Sequence, residues 1–260
     1  MTARYALSMG QEHDTSQRLR VASYNVKGFA ADRRALWQVL KNLDADVLAL
    51  QEPPRSFQGP ARLRALAHSL HMECVVPGGY PFGGVTTALL VADRISSSVV
   101  AAGARVLPWG LPQWWPQLVD RPSWPSRRGF SWVDVGNVVV VSAHLGLNPA
   151  ERVRHGRIIM DAVNEWGSER TIVAGDLNEE PGGPVWELCD SLLPDARPRA
   201  LSASPDVAVT FPSHRARRRI DSIFVPSRAV VWSFEVRAGA AVSAASDHRP
   251  VVIEVDVPVE

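Results

Sequence analysis

Cysteine is scarce in this chain, and so is lysine. The two cysteines, Cys74 and Cys189, lie far apart and outside any metal-type spacing, which excludes a disulfide framework and a cysteine zinc site. Both are expected to be free, buried thiols. Only Lys27 and Lys41 among the 28 basic residues are lysine, a bias that carries no functional information. An excess of one charge is also missing: 28 Lys and Arg meet 27 Asp and Glu, for a formal net charge of +1. No global field therefore points to nucleic acid or an anionic membrane, and any anion binding must be local. No apolar run approaches the roughly 18 to 20 residues of a membrane span, and the opening MTARYALSMGQEHDTSQRLR lacks the apolar stretch of a secretory signal. A cytoplasmic chain is expected, with no transmembrane segment, no protein partner implied and a monomeric state. There is no internal repeat and no linker that splits the core. The 260 residues, 46% hydrophobic and 21% charged, suit a single domain over residues 19–260 behind a loose stretch over residues 1–18.

The pattern along the chain mixes strands and helices. Residues 19–26 are apolar and β-rich; residues 32–43 place Leu36, Val39, Leu40 and Leu43 on one helical face behind a possible Asp32 N-cap; residues 46–50 form another apolar run. A second helix over residues 61–70 leads to a strand at 73–76, a turn at Pro77-Gly78-Gly79 and a hairpin partner around 85–91. Gly136-Asn137 predicts a tight hairpin between residues 130–135 and 138–143. Asn148, Pro149 and Glu151 supply the N-cap, the first-turn proline and the first-turn acid of a helix that Gly167 stops. A strand at 171–174 and a short helix over 185–193 follow, and the remaining strands are expected at 207–211, 220–225, 230–236 and 250–257. The stretch 107–128, with five prolines and four of the nine tryptophans, has neither period and reads as a long structured surface loop. Hairpins outnumber strand–helix–strand crossovers, which argues for sheet packed on sheet under covering helices.

Polar residues recur where strands end: Asn25, Glu52, His144 and Asp176 each follow an apolar run. Layered α/β folds place ligands at such edges, because rigid strands there hand side chains to a shared crevice. Any one such acid is more often a cap or turn residue. Together Glu52, Asp176, Asp221 and Asp247, with the amides of Asn25 and Asn178, form an oxygen-rich group suited to Mg²⁺ or Mn²⁺. His144 and His248 are left for proton transfer or phosphoryl contact.

Six strings in order carry a resemblance: Ser23-Tyr24-Asn25-Val26, Leu50-Gln51-Glu52, Ser142-Ala143-His144-Leu145, Gly175-Asp176-Leu177-Asn178, Arg219-Ile220-Asp221-Ser222-Ile223-Phe224-Val225 and Ser246-Asp247-His248-Arg249-Pro250-Val251. They resemble the motifs of the endonuclease/exonuclease/phosphatase superfamily with the DNase I-like fold, over residues 19–257. The resemblance implies a four-layer α/β sandwich, with two mostly antiparallel sheets face to face and outer helices, and one metal-dependent phosphoester-cleaving site at a rim. It implies that Glu52 is the principal metal ligand with Asn25 and Asp247 nearby. It further implies that Asp176 orients or deprotonates the attacking water, Asn178 assists it on the phosphate, Asp221 holds His248 against the phosphate, and His144 sits near the leaving oxygen. Histidine rather than tyrosine at position 144 is similar to DNase I-type and lipid- or inositol-phosphate-cleaving relatives, and unlike the exonuclease III-type abasic-site enzymes.

Arg215, Arg217, Arg218 and Arg219 before Asp221, and Arg127 and Arg128 after the tryptophan-rich stretch, read equally as a basic rim for a polyanion or as solvated basic turns. Trp115 and its neighbours Trp109, Trp114 and Trp124 read as packing, base-stacking or interfacial residues. The expectation is a nuclease that attacks a phosphodiester in line with an activated water, taking Arg128, Arg219 and Trp115 as substrate contacts. The alternatives are a hydrolase of a phospholipid or small phosphorylated metabolite, and a noncatalytic binding module.

Overall fold

A computed structural model describes residues 17–78, 85–108, 128–203 and 208–258. Among these described residues, twelve strands form two sheets. The first holds seven strands in the order β3 (Met72–Val76), β4 (Thr87–Ala92), β2 (Val47–Gln51), β1 (Gln17–Asn25), β12 (Val251–Val257), β11 (Val230–Val236) and β9 (Ser202–Ala203). The second holds five, in the order β10 (Asp221–Phe224), β8 (Thr171–Asp176), β7 (Val139–His144), β6 (Gly129–Asp134) and β5 (Ala101–Val106). Only β1 with β2, β7 with β8 and β9 with β11 pair in parallel.

Strict alternation builds the layers. In β1, Leu19 and Val21 enter the core between the sheets, whereas Ala22 and Tyr24 face outward; in β2, Val47 and Ala49 point in and Leu48 and Leu50 out. The central core is almost wholly aliphatic, with Val140, Ile172, Ala174 and Ile223 of one sheet meeting Val251, Ile253 and Val255 of the other. Outside the seven-stranded sheet lie α1 (Arg33–Leu43), α2 (Gly59–Ser69) and α6 (Ala240–Ala245). Outside the five-stranded sheet lie α4 (Pro149–Trp166) and α5 (Pro184–Leu192), closing on Val141, Val173 and Phe224. A single turn, α3 (Asp93–Ser96), links β4 to β5. The result is the expected four-layer sandwich.

Local chemistry starts and stops these elements as read from the sequence. The Asp32 side chain accepts from the N–H groups of Arg34 and Ala35, and Asn148 accepts from those of Ala150 and Glu151. Gly167, at φ 97°, ends α4. β1 begins at Gln17, two residues inside the stretch expected to be loose, and the Arg18 guanidinium meets the Asp256 carboxylate in a two-pronged pair. The strand expected at 207–211 does not form among its described residues: the N–H groups of Thr210 and Phe211 both donate to the Arg218 carbonyl, closing a turn. β5 and α6 carry too little apolar periodicity to be read in advance, Ala101–Val106 being an exposed edge strand. No helix among the described residues is long and apolar enough to cross a membrane.

Gly175 shows how tightly β7 and β8 approach, since a Cβ there would lie 2.1 Å from the Ala143 carbonyl oxygen. A backbone atom cannot step aside as a side-chain tip can. Gly175→Ala is expected to lower the unfolding free energy by about 1–3 kcal/mol or more, the range of core overpacking, read as a shift of the urea midpoint.

Candidate active site

Strand register assembles the site before any side chain is considered. Asp221 of β10 is the cross-strand partner of Asp176, Asp176 that of His144, and His144 that of Gly129, so one row of the five-stranded sheet carries these groups side by side. Facing them from the seven-stranded sheet are Asn25 at the end of β1, Glu52 just past β2 and His248 just before β12.

All but one of the contacts between these residues cross from one sheet to the other, the exception being His144 with Asp176. The Asn25 amide Nδ2 donates to Asp176 Oδ2 at 3.1 Å. His248 Nδ1 lies 2.9 Å from Asp221 Oδ2, and its Nε2 lies 3.7 Å from Asp176 Oδ2. His144 Nε2 lies 3.6 Å from the same Asp176 oxygen and 3.9 Å from Glu52 Oε1. Asp176 is thus flanked by two imidazoles, and its other oxygen accepts the Asn178 N–H at 2.9 Å. Asn178, in a left-handed conformation at φ 52°, donates from Nδ2 to the Leu145 carbonyl. Arg128 is buried, its Nη1 2.8 Å from Nδ1 and 2.5 Å from Nε2 of His144. A neutral imidazole accepts at only one nitrogen, so the guanidinium serves one of the two.

The two histidines are driven to opposite protonation states. Burial holds His144 well below the usual imidazole range, and the charges of Arg128, His248 and Arg55 push the same way. Burial also works against a charged His248, but the charge and hydrogen bond of Asp221, with Asp176 and Asp247 behind them, outweigh it and raise this imidazole to about 10. Burial and the Asp221 charge raise the Asp176 carboxyl to about 6, against the pull of His248, the Asn178 N–H and the Asn25 amide. Groups pushed apart in this way are the mark of assigned acid and base roles.

Other expected residues fall elsewhere. The Asp247 carboxylate lies 2.9 Å from Lys27 Nζ, a partner not anticipated from the sequence. Arg219 is held by Asp195 through two hydrogen bonds of 2.7 and 2.8 Å, donates also to Ser222 and lies over the Trp186 ring. Arg218 pairs with Glu180. Trp115, like Trp109, Trp114, Trp124 and Arg127, lies outside the described residues. The ends of that stretch are stitched together, since the Leu107 N–H donates to the Arg128 carbonyl, and this stem stands beside His144. Arg55 was missed; its charge bears on both Arg128 and His144, and its position three residues after Glu52 was the available signal. His155 of α4 is buried with Nε2 2.9 Å from the Pro108 carbonyl.

The donor set fits a hard divalent cation. Asp176, Asp221 and His248 each bring a ligand-type atom within 4.8 Å of the others, but an imidazolium repels a cation, which directs attention to Glu52. Glu52 stands in the left-handed region at φ 51°, fixed by its N–H to the Thr86 carbonyl and by its own carbonyl, which accepts from Gly28. Among the described residues no hydrogen bond reaches its carboxylate, so both oxygens are open to an oxygen-seeking ion.

The sandwich and its rim of carboxylates and imidazoles define a hydrolase with the DNase I-like fold. The sequence profile of the Endonuclease/Exonuclease/phosphatase family matches residues 22–248, and the chain belongs to that family. Among solved structures, an endonuclease/exonuclease/phosphatase from Bacteroides vulgatus is similar with a TM-score of 0.72 at 20% identity, covering 94% of this chain and 100% of that one. The mannosyl-6-phosphatase of Bacteroides thetaiotaomicron gives 0.66 at 21%, covering 91% and 99%. ANGEL2, a 2',3'-cyclic phosphatase, gives 0.67 at 14%, covering 93% and 96%. At these identities the likeness is one of fold. No curated protein matches the chain.

Two outcomes test the assignment of charges. Because the folded His248 holds its proton up to about 10, well above a free imidazole near ~6.5, its pairing stabilises the fold fully below about pH 6.5 and that contribution is lost as pH rises toward 10. In chelator-treated protein, the unfolding free energy of wild type should exceed that of His248→Gln by a margin that shrinks from pH 6.5 to 10; a constant margin would mean the proton is not held. Arg219→Ala leaves the buried Asp195 carboxylate without a cation, with only the Ser222 hydroxyl and the Arg197 N–H as donors among the described residues, and is expected to cost about 3–5 kcal/mol of stability, measured by urea unfolding.

Proposed function

We propose that this chain hydrolyses a phosphoester at the rim between its sheets, with Asp176 preparing water for in-line attack. The observation that carries the reading is the position of Asp176: one carboxylate between a neutral imidazole backed by Arg128 and a protonated imidazole backed by Asp221. With its carboxyl near 6, Asp176 is ionised at neutral pH and holds or accepts a proton from water, and the Asn25 amide and Asn178 N–H orient it. His248 presents Nε2–H to a phosphoryl oxygen, its other nitrogen being held by Asp221. His144, neutral and close to Arg128, would give the leaving oxygen a hydrogen-bonding partner, and the guanidinium would add positive charge there. Glu52, with Asn25 and Asp247, would hold Mg²⁺ or Mn²⁺. Such an ion offsets the negative charge that gathers on phosphoryl oxygens.

Of the substrate classes, a small phosphoester is the better match. Arg219 and Arg218, which carried part of the polyanion reading, are held by Asp195 and Glu180. Arg128, Arg55 and His248 remain as cations whose charges all bear on His144. The solved phosphatases of the same fold accord with this choice. The second reading, a phosphodiester in nucleic acid, is favoured by one feature: the stem of the 107–128 stretch stands at the site.

The test is hydrolysis of p-nitrophenyl phosphate, bis-p-nitrophenyl phosphate, a sugar phosphate, sphingomyelin, and single-stranded DNA and RNA, with Mg²⁺, with Mn²⁺ and with chelator. Metal-dependent turnover of the small esters is expected, with Asp176→Asn and His248→Ala each losing about 10²–10⁴-fold in kcat and Glu52→Ala losing the response to metal. Cleavage of nucleic acid with steep salt dependence would select the second reading. No turnover of any ester would overturn both.

A further inference from the structure

The first turn of α4 lies against both loops that carry the reacting groups. Leu145, Gly146 and Leu147 follow His144 out of β7, and Leu177, Asn178 and Glu179 follow Asp176 out of β8. Arg152, in that first turn, reaches both: its Nη1 donates to the Leu147 carbonyl at 2.7 Å, and its Nε and Nη2 each lie 3.1 Å from Glu179 Oε1. Glu179 is in turn fixed to the next helix, its Oε2 accepting from the N–H groups of Val185 and Trp186 at the start of α5. The pair is largely removed from water, at 12% and 8% side-chain exposure, so it is not a solvated surface bridge. Neither residue contacts Asp176, His144 or His248 among the described contacts, and neither was picked out in the sequence.

We infer that Arg152 and Glu179 are positioning residues, which hold the loop after His144 and the loop after Asp176 at a fixed separation so that the imidazole and the carboxylate keep their facing geometry. This rests on the phosphoester hydrolase reading for its catalytic consequence. Only one direct link between the loops lies closer to the chemistry on the side-chain level, the Asn178 amide to the Leu145 carbonyl. Without the clamp, that bond and the Leu145 N–H to the Asp176 carbonyl would be left to set the spacing beyond the end of the β7–β8 ladder. The guanidinium fork matters because two directions must be satisfied at once, a carbonyl on one loop and a carboxylate on the other; an ammonium group is a point charge and meets the second better than the first.

A matched control is built into the opposite end of β8. Arg170 there bridges Asp134 Oδ1 at 2.8 Å and the Gly136 carbonyl at 2.7 Å, an arginine clamp of similar make that is remote from the chemistry. The experiment compares Arg152→Ala, Arg152→Lys, Glu179→Gln and Arg170→Ala by steady-state kinetics on p-nitrophenyl phosphate and by hydrogen exchange. Arg152→Ala is expected to lower kcat by about 10- to 100-fold with KM within about 3-fold of wild type, the pattern of misplaced reacting groups rather than lost binding. Glu179→Gln should match it, Arg152→Lys should fall between, and Arg170→Ala should keep wild-type kcat. Exchange should rise in residues 145–148 and 177–183 for Arg152→Ala and Glu179→Gln, and not for Arg170→Ala. Equal loss of kcat in Arg152→Ala and Arg170→Ala, or unchanged exchange in those loops, overturns the proposal. Should the wild-type chain hydrolyse no phosphoester, the hydrolase reading falls while the exchange comparison still decides whether Arg152 fixes the two loops.

Discussion

Two carboxylates buried side by side cannot both stay ionised without a cation between them, and Asp176 and Asp221 are both almost fully buried at adjacent positions of neighbouring strands. The proton on His248 meets that need. It lies against Asp221 directly and near Asp176 through its second nitrogen, so one imidazolium serves two acids. Everything else at the rim follows from keeping that arrangement dry and in register. The β8 to β10 ladder puts the acids opposite each other, and β12 brings His248 from the other sheet. Such a set is expensive to fold and is stable only while each member has its partner.

Much of the fold was legible because its elements obey simple periods. The alternation in β1 and β2, the helical face of α1 and the caps at Asp32 and Asn148 each follow from side-chain chemistry within a few residues. The elements that escaped are the ones set by neighbours. β5 is Ala-Ala-Gly-Ala-Arg-Val, and only its pairing with β6 makes it a strand. Residues 208–211 look β-rich, yet the Arg218 carbonyl turns them into a tight return. Tertiary hydrogen bonding overrides local preference in both places.

For the site, the strand-end positions of Asn25, Glu52, His144 and Asp176 were readable, since an apolar run that stops at a polar residue marks a rim. What a one-dimensional reading cannot supply is which charges are already taken. Arg219 and Arg128 look alike in sequence; one is held by Asp195 beneath Trp186, the other faces His144. Lys27 and Arg152 reach their partners only through the fold, and no spacing announces them; Arg55 is signalled only by its place three residues after Glu52.

The pairs that make the site, Asn25 with Asp176, His248 with Asp221 and His144 with Glu52, each join residues of different sheets. The five-stranded sheet alone carries Asp221, Asp176 and His144, but without the Asn25, Glu52 and His248 that face them. A folding intermediate with one sheet formed and the other undocked would therefore lack these contacts and leave Asp176 and Asp221 in water. The reaction centre acts as a seam, and whatever binds across it favours the docked sandwich over any half-assembled state in proportion to its affinity. Assembly of this set of residues and closure of the two halves are, in this molecule, the same event.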